Sequence, residues 1–135
     1  MISHTSNIKV SYSDTDQMGF VHHSNYCRYY ETARWELFQA IGIPYRELEK
    51  TGIIMPVIDM KFHFIKPAFY DEELMVFTQI LHLKGARLTF QYRLVNPAGE
   101  IINEAQVSVA FVRKDTYEPC FPPDFITIKL KNIDI

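Results

Sequence analysis

The spacing of apolar positions changes period several times along the chain. Ile8, Val10 and Tyr12 alternate with Lys9, Ser11 and Ser13, the period of a half-buried strand, and the alternation stops at Asp14. From Tyr26 the apolar positions fall at Tyr26, Tyr30, Ala33, Leu37 and Ile41, with Tyr29, Trp35 and Phe38 widening the stripe. That is helical spacing over about four turns. Ser24 or Asn25 can cap its start, and Gly42 followed by Pro44 can end it. So many aromatic residues predict a helix covered by protein over most of its circumference. The segment YRELEK predicts a short helical turn before Gly52.

After Gly52 the period becomes two. Met60, Phe62 and Phe64 alternate with Lys61 and His63, and Leu74, Val76, Thr78 and Ile80 with Met75, Phe77, Gln79 and Leu81. Leu88, Phe90, Tyr92 and Leu94 form a third run, and a fourth passes from Ile101 through Asn103, Ala105, Val107 and Val109 to Phe111. The links KPAFYDEE, LKGA and NPAGE carry turn-forming residues and are too short for crossovers, so the strands are predicted to be antiparallel. FPPDFITIKLKN is expected to close the chain with a proline-limited turn or short helix. One early helix and about five antiparallel strands predict an α+β architecture, with the helix in the concavity of a curved sheet. Phe77, Leu81 and Leu83 make the second face partly apolar, which predicts association with a second copy.

Composition narrows the function classes. A chain of 135 residues with 47% hydrophobic content fits one domain spanning residues 1–135. Its 14 basic and 16 acidic residues are scattered and sum to −2, so no basic footprint for nucleic acid or an anionic membrane is present. The opening MISHTSNIKVSYSD lacks the pattern of a signal peptide, and no run approaches the roughly 18 apolar residues of a membrane span. A cytoplasmic protein without a membrane span is expected. Cys27 and Cys120 are far apart and outside CxxC spacing, which predicts two buried or idle thiols.

The chemistry concentrates between the first strand and the long helix, where SDTDQMGFVHHSNY holds two carboxylates, a glycine and two histidines. A carboxylate at Asp16, in a turn loosened by Gly19 and just before a helix, can point to where free helix-start amides point. It could serve as a general base or a nucleophile while amides near Gly19 and His23 bind a carbonyl oxygen that gains charge, a combination suited to acyl transfer. Plainer roles stand beside these. Asp14 reads as a turn or cap residue, Asp16 alone could be a cap, and Gly19 could merely supply a positive φ. His22 reads as a loop residue, Tyr26, Tyr29 and Tyr30 as core, and Arg34 as a partner of Glu31 or another acid. Two Asp and two His could ligate a metal, but their spacing matches no strong metal motif, and no metal or cofactor is expected. No phosphate loop, G-x-S-x-G elbow or HExxH helix occurs.

The run SDTDQMGFVHHSNYCRYYETARWELF resembles the active-site segment of hot dog-fold thioesterases of the 4-hydroxybenzoyl-CoA thioesterase type, close to the acyl-CoA thioesterase branch associated with the Tol-Pal system. GIIMPVIDMKFHFIKPAFYDEEL and INEAQVSVAFVRKDTYEPCFPPDF follow in that family's order. The resemblance implies a hot dog fold, a sheet wrapped about a central helix, paired into dimers or dimers of dimers with active sites at the dimer interface. It implies hydrolysis of acyl-CoA to a free acid and coenzyme A. The family's catalytic carboxylate falls on Asp16, and the residue whose amide polarises the carbonyl falls on His23, with Gly19 beside it. Tyr26 is a candidate substrate-binding residue, and Lys84, Arg87 or Arg113 are candidates for the carrier's phosphates. His22 stands where the family more often has an aromatic residue, and Asn25 beside Tyr26 is a further departure. An acyl-carrier-protein thioesterase and a non-catalytic acyl-binding protein of the same fold are the alternatives, and a dehydratase of this fold fits the motif less well.

Overall fold

The structure, a computed structural model, describes residues 2–133. In chain order the elements are β1 (Ser3–Lys9), a 3-10 turn (Tyr12–Asp14), α1 (Asn25–Ala40), α2 (Tyr45–Lys50), β2 (Ile53–Ile54), β3 (Val57–Phe64), β4 (Glu73–Lys84), β5 (Arg87–Val95), β6 (Ile101–Ala110), β7 (Val112–Arg113) and α3 (Asp124–Ile133). The main sheet is antiparallel throughout, in the order β1-β4-β5-β6-β3, while β2 and β7 form a separate two-stranded pair. Helix α1 packs on the sheet through β1 and β4. This is the helix-in-a-curved-sheet arrangement of the hot dog fold.

The helix owes its place to its apolar stripe. Tyr26, Tyr29, Tyr30, Ala33, Arg34, Leu37 and Phe38 are all buried, at the three- and four-residue intervals that put side chains on one face. Its C-terminus is a Schellman turn: Gly42 takes φ +87°, its amide donates to the Gln39 carbonyl (3.1 Å), and the Ile43 amide reaches the Phe38 carbonyl (2.8 Å). Ile43 and Phe38 are both buried in the core. Arg34 does not pair with Glu31. Its Nη1 donates to the Tyr92 hydroxyl (3.0 Å) and its guanidinium lies 5.8 Å from the Phe90 ring centroid. A buried cation is tolerable here because a hydroxyl and an aromatic face receive it.

The strands place one face of alternating residues in the core. Leu74, Val76 and Thr78 of β4, Leu88, Phe90, Tyr92 and Leu94 of β5, and Ala105, Val107 and Val109 of β6 are buried in that rhythm. The first strand departs from expectation. It ends at Lys9, Val10 is still buried, and Tyr12 is 76% exposed because the chain has already turned into the 3-10 segment. Leu83 also departs. A register shift between Ile80 and His82 places Leu83 opposite Leu88 and packs it against the core, leaving Phe77 and Leu81 as the exposed apolar residues of β4 expected on the outer face. Strand β3 lies at the sheet edge and its residues are almost all exposed, with Met60 at 37% and Phe64 at 53%.

Candidate active site

The segment from Ser11 to Asn25 is built around Asp14. Its carboxylate is buried, with 4% of the residue exposed, and accepts from the Ser11 amide (3.0 Å), from the Tyr29 hydroxyl (2.8 Å) and from the Arg28 guanidinium. Its carbonyl accepts from the His22 amide (2.9 Å) and the Asn25 side chain (2.8 Å). Asp14 therefore ties the end of the first strand to the first two turns of α1, as a capping residue on a larger scale than the sequence indicates. Ser24 makes no side-chain cap; its hydroxyl and amide both meet His22 Nδ1, at 2.9 and 3.2 Å. An amide can only donate, so Nδ1 accepts and the neutral ring carries its proton on Nε2.

Asp16 sits at the start of a tight hairpin hung on this frame. The Gly19 amide donates to the Asp16 carbonyl (3.0 Å) and the Asp16 amide to the Phe20 carbonyl (3.0 Å). Gly19 has φ +89°, so the loop is a turn closed by a left-handed residue, for which glycine is suited. The returning arm pairs with the chain after β3: Val21 donates to the Ala68 carbonyl (2.9 Å), and Phe20 bridges Phe69. Hairpin and segment 64–67 thus face one another across a cavity of about 760 Å³, lined among others by Asp16, His23, Tyr26, Phe64 and Lys66. Its size lies within the usual range for small-molecule sites.

Within it, Asp16 Oδ1 accepts from the Met18 amide (2.8 Å), while Oδ2 accepts from no donor among the described residues. The His23 amide likewise donates to no acceptor among the described residues. The His22 and His23 rings lie 4.2 Å apart, and the Phe64 ring stands edge-on to His23 (6.5 Å) and to Tyr26 (5.6 Å). Burial raises the pKa of Tyr26, with the Ala68 backbone partly offsetting it and Glu72 adding to it, so the hydroxyl is neutral at ordinary pH. The wall is aromatic and apolar, and its polar groups are few.

The structure places other candidate residues outside this cavity. Gly19 does not line the cavity, and its amide is already given to the Asp16 carbonyl; it shapes the turn and is not free to bind a carbonyl oxygen. Lys84 and Arg87 face each other across the Gly85 turn, at the opposite end of β4 from the hairpin. Lys84 is the last of the twelve residues of β4, a contour of roughly 35 Å at the usual rise, and neither Lys84 nor Arg87 lines the Asp16 cavity. Conversely, Phe64 and Lys66 reach the cavity although their periodicity marks them only as strand and turn. The signal for Lys66 was its charge next to Pro67, in a link read as a plain turn.

Residues 10–130 match the thioesterase-like superfamily along nearly the whole described chain. The chain belongs to that family. It is 32% identical over 124 residues to the acyl-CoA thioester hydrolase YbgC of Escherichia coli O6:H1, covering 92% of each chain. With YneP of Bacillus subtilis it shares 38% over 112 residues, 83% of this chain and 81% of that one. Among solved structures, a DHNA-CoA thioesterase from Staphylococcus aureus superposes with a TM-score of 0.92 at 30% identity, covering 98% of this chain and 91% of that one. Among the described residues, no group of three or more His, Cys, Asp and Glu side chains is placed to hold a metal ion.

Proposed function

We propose that this chain hydrolyses the thioester bond of acyl-coenzyme A, releasing a carboxylic acid and coenzyme A. The observation that carries the reading is that one cavity is lined by both Asp16, whose Oδ2 accepts from no donor among the described residues, and His23, whose amide donates to no acceptor among them. The relatives named for acyl-CoA thioester chemistry support the substrate class. The motif also favours the finer placement near the 4-hydroxybenzoyl-CoA type and the Tol-Pal associated branch. A cytoplasmic location goes with a coenzyme A substrate.

In this reading the thioester carbonyl oxygen meets the His23 N–H, which stabilises the charge that develops when the carbon becomes tetrahedral. The Met18 amide holds Oδ1 of Asp16 and leaves Oδ2 as the reacting oxygen. As a base, Oδ2 takes a proton from water while the water oxygen bonds to the carbonyl carbon; the C–S bond then breaks, and the sulfur leaves with that proton as the thiol. As a nucleophile, Oδ2 bonds to the carbon itself, the thiolate leaves, and water cleaves the resulting anhydride. When water adds to the Asp16 carbonyl carbon of that anhydride and the acyl carboxylate leaves, a single turnover in ¹⁸O-water puts the label into Asp16, an outcome the first route does not give. Tyr26 and Phe64 form the apolar wall for the acyl group.

Thiol release from a panel of short aliphatic, long aliphatic and aromatic acyl-CoA esters tests the function. Turnover of at least one class is expected. Tight binding without turnover of any would instead indicate a non-catalytic acyl-binding protein, and strong preference for matched acyl-carrier-protein substrates would indicate the carrier-protein enzyme.

A further inference from the structure

Lys66 is the one permanently cationic side chain among the described residues lining the Asp16 cavity. Its backbone is fixed on both sides. The Lys66 amide and that of Ile65 both donate to the Ile102 carbonyl (3.0 and 2.9 Å), and Pro67 follows. Its ammonium pairs with Glu100, and Glu100 is itself fixed by the turn between β5 and β6. Asn96 Oδ1 accepts from the Glu100 amide (2.9 Å), Asn96 Nδ2 donates to Glu100 Oε1 (3.0 Å), and Oε2 receives Lys66 Nζ. One carboxylate contact leaves an ammonium with donors to spare. The side chain is half exposed, so an incoming anion need not displace it from a buried site.

The cavity lining therefore holds polar residues of two kinds. Asp16 and His23 serve a neutral carbonyl that becomes charged, and Lys66 is a permanent cation in the same lining. A thioester carried on a pantetheine arm has the same polarity, a neutral acyl end and a phosphorylated end. We infer that Lys66 is the substrate-binding residue that pairs with a phosphate of the carrier, and that Glu100 is an internal competitor that keeps the ammonium in place when no carrier is bound. The inference rests on the acyl-CoA reading, and it replaces Lys84 and Arg87 as the phosphate contact made by the chain that supplies Asp16. The lowered pKa of Glu100, caused first by its hydrogen bond from Lys66 and then by that from Asn96, agrees with a carboxylate that stays charged in this pair.

The test reads binding, so it stands apart from turnover. Dissociation constants of coenzyme A, 4′-phosphopantetheine and phosphate-free pantetheine are measured by calorimetry on the wild-type chain, Lys66→Ala and Glu100→Gln at low ionic strength. Lys66→Ala is expected to weaken coenzyme A about fivefold or more and leave pantetheine unchanged. Glu100→Gln, which keeps an oxygen at the turn but removes the competing charge, is expected to tighten coenzyme A. If 4′-phosphopantetheine follows coenzyme A, the contact is the phosphate on the arm itself; if it follows pantetheine, the contact is a nucleotide phosphate, and both results uphold the inference. Equal effects of Lys66→Ala on coenzyme A and pantetheine, no effect on either, or a Glu100→Gln change in the same direction as Lys66→Ala would overturn it, making the pair a structural clamp. Absence of thioester turnover with this binding pattern intact would defeat the hydrolase reading alone.

Discussion

Asp14 and Asp16 stand two positions apart and are used in opposite ways. Asp14 is surrounded by donors: an amide, a hydroxyl, a guanidinium on its carboxylate, and two more groups on its carbonyl. A carboxylate buried under three donors is committed to holding the fold, and its loss strands the buried Tyr29 hydroxyl and frees the start of α1. Asp14→Ala is expected to lower the unfolding free energy by about 3 kcal/mol, measured by denaturant titration, because charged hydrogen bonds are lost and a buried donor is left unpaired. Asp16 has one oxygen anchored and one open, the arrangement of a reactive group with a fixed direction. Gly19, between them and the helix, is a matter of backbone. A Cβ there would meet nothing within 4 Å, so the penalty for Gly19→Ala comes from φ +89° alone. It is expected to be about 1–2 kcal/mol in thermal or denaturant stability.

At the scale of elements, what periodicity encodes was legible and what tertiary pairing decides was not. The stripe from Tyr26 to Phe38 specified α1, and Gly42 specified its end, because both are local signals. The alternations of β4, β5 and β6 specified strands for the same reason. Tyr12 looked like a further inward strand position, yet the capping of Asp14 turns the chain three residues early. Leu83 looked outward until a single extra residue at the bulge inverted its side. The cavity wall from Phe64 to Pro67 was invisible, since it exists only where the Phe20 arm meets Phe69 and Ala68. Strand β3 makes its own prediction. Its edge is unpaired among the described residues, and Ile58 (47% exposed), Met60 and Phe64 are apolar and open. Such an edge favours a second copy of the chain. Sedimentation is expected to give a dimer or larger at micromolar concentration, with Met60→Lys shifting the population toward monomer; a wild-type monomer would refute the pairing.

For the molecule as a whole, the core is unusual in how much tyrosine it buries under one helix. Burial pushes the Tyr92 hydroxyl up to about 12 from its ordinary 10.0, with Arg34 partly offsetting the rise, and burial raises Tyr29 and Tyr30 in the same direction. The folded state thus holds these protons to higher pH than the unfolded state. The contribution of Tyr92 is fully present below pH 10.0 and is lost as pH climbs toward 12, at about 1.4 kcal/mol per pH unit, with Tyr29 and Tyr30 acting in the same direction. The melting temperature is expected to be insensitive to tyrosine ionisation through neutral pH and to fall steeply in that alkaline window, together with a rise in tyrosinate absorbance. A melting temperature unchanged up to pH 12 would contradict the burial of these hydroxyls.

Asp16 lines the hairpin cavity, and one substitution there isolates the proposed chemistry. Asp16→Asn retains an oxygen that can accept from the Met18 amide, so the turn is preserved while the open oxygen loses its basicity and nucleophilicity. Steady-state hydrolysis of the best acyl-CoA ester, compared between this variant and the wild type, is expected to show kcat reduced by about 10²–10⁴ with KM and melting temperature little changed. A variant that turned over the same ester at close to the wild-type kcat would contradict the assignment of Asp16 and the proposed mechanism with it.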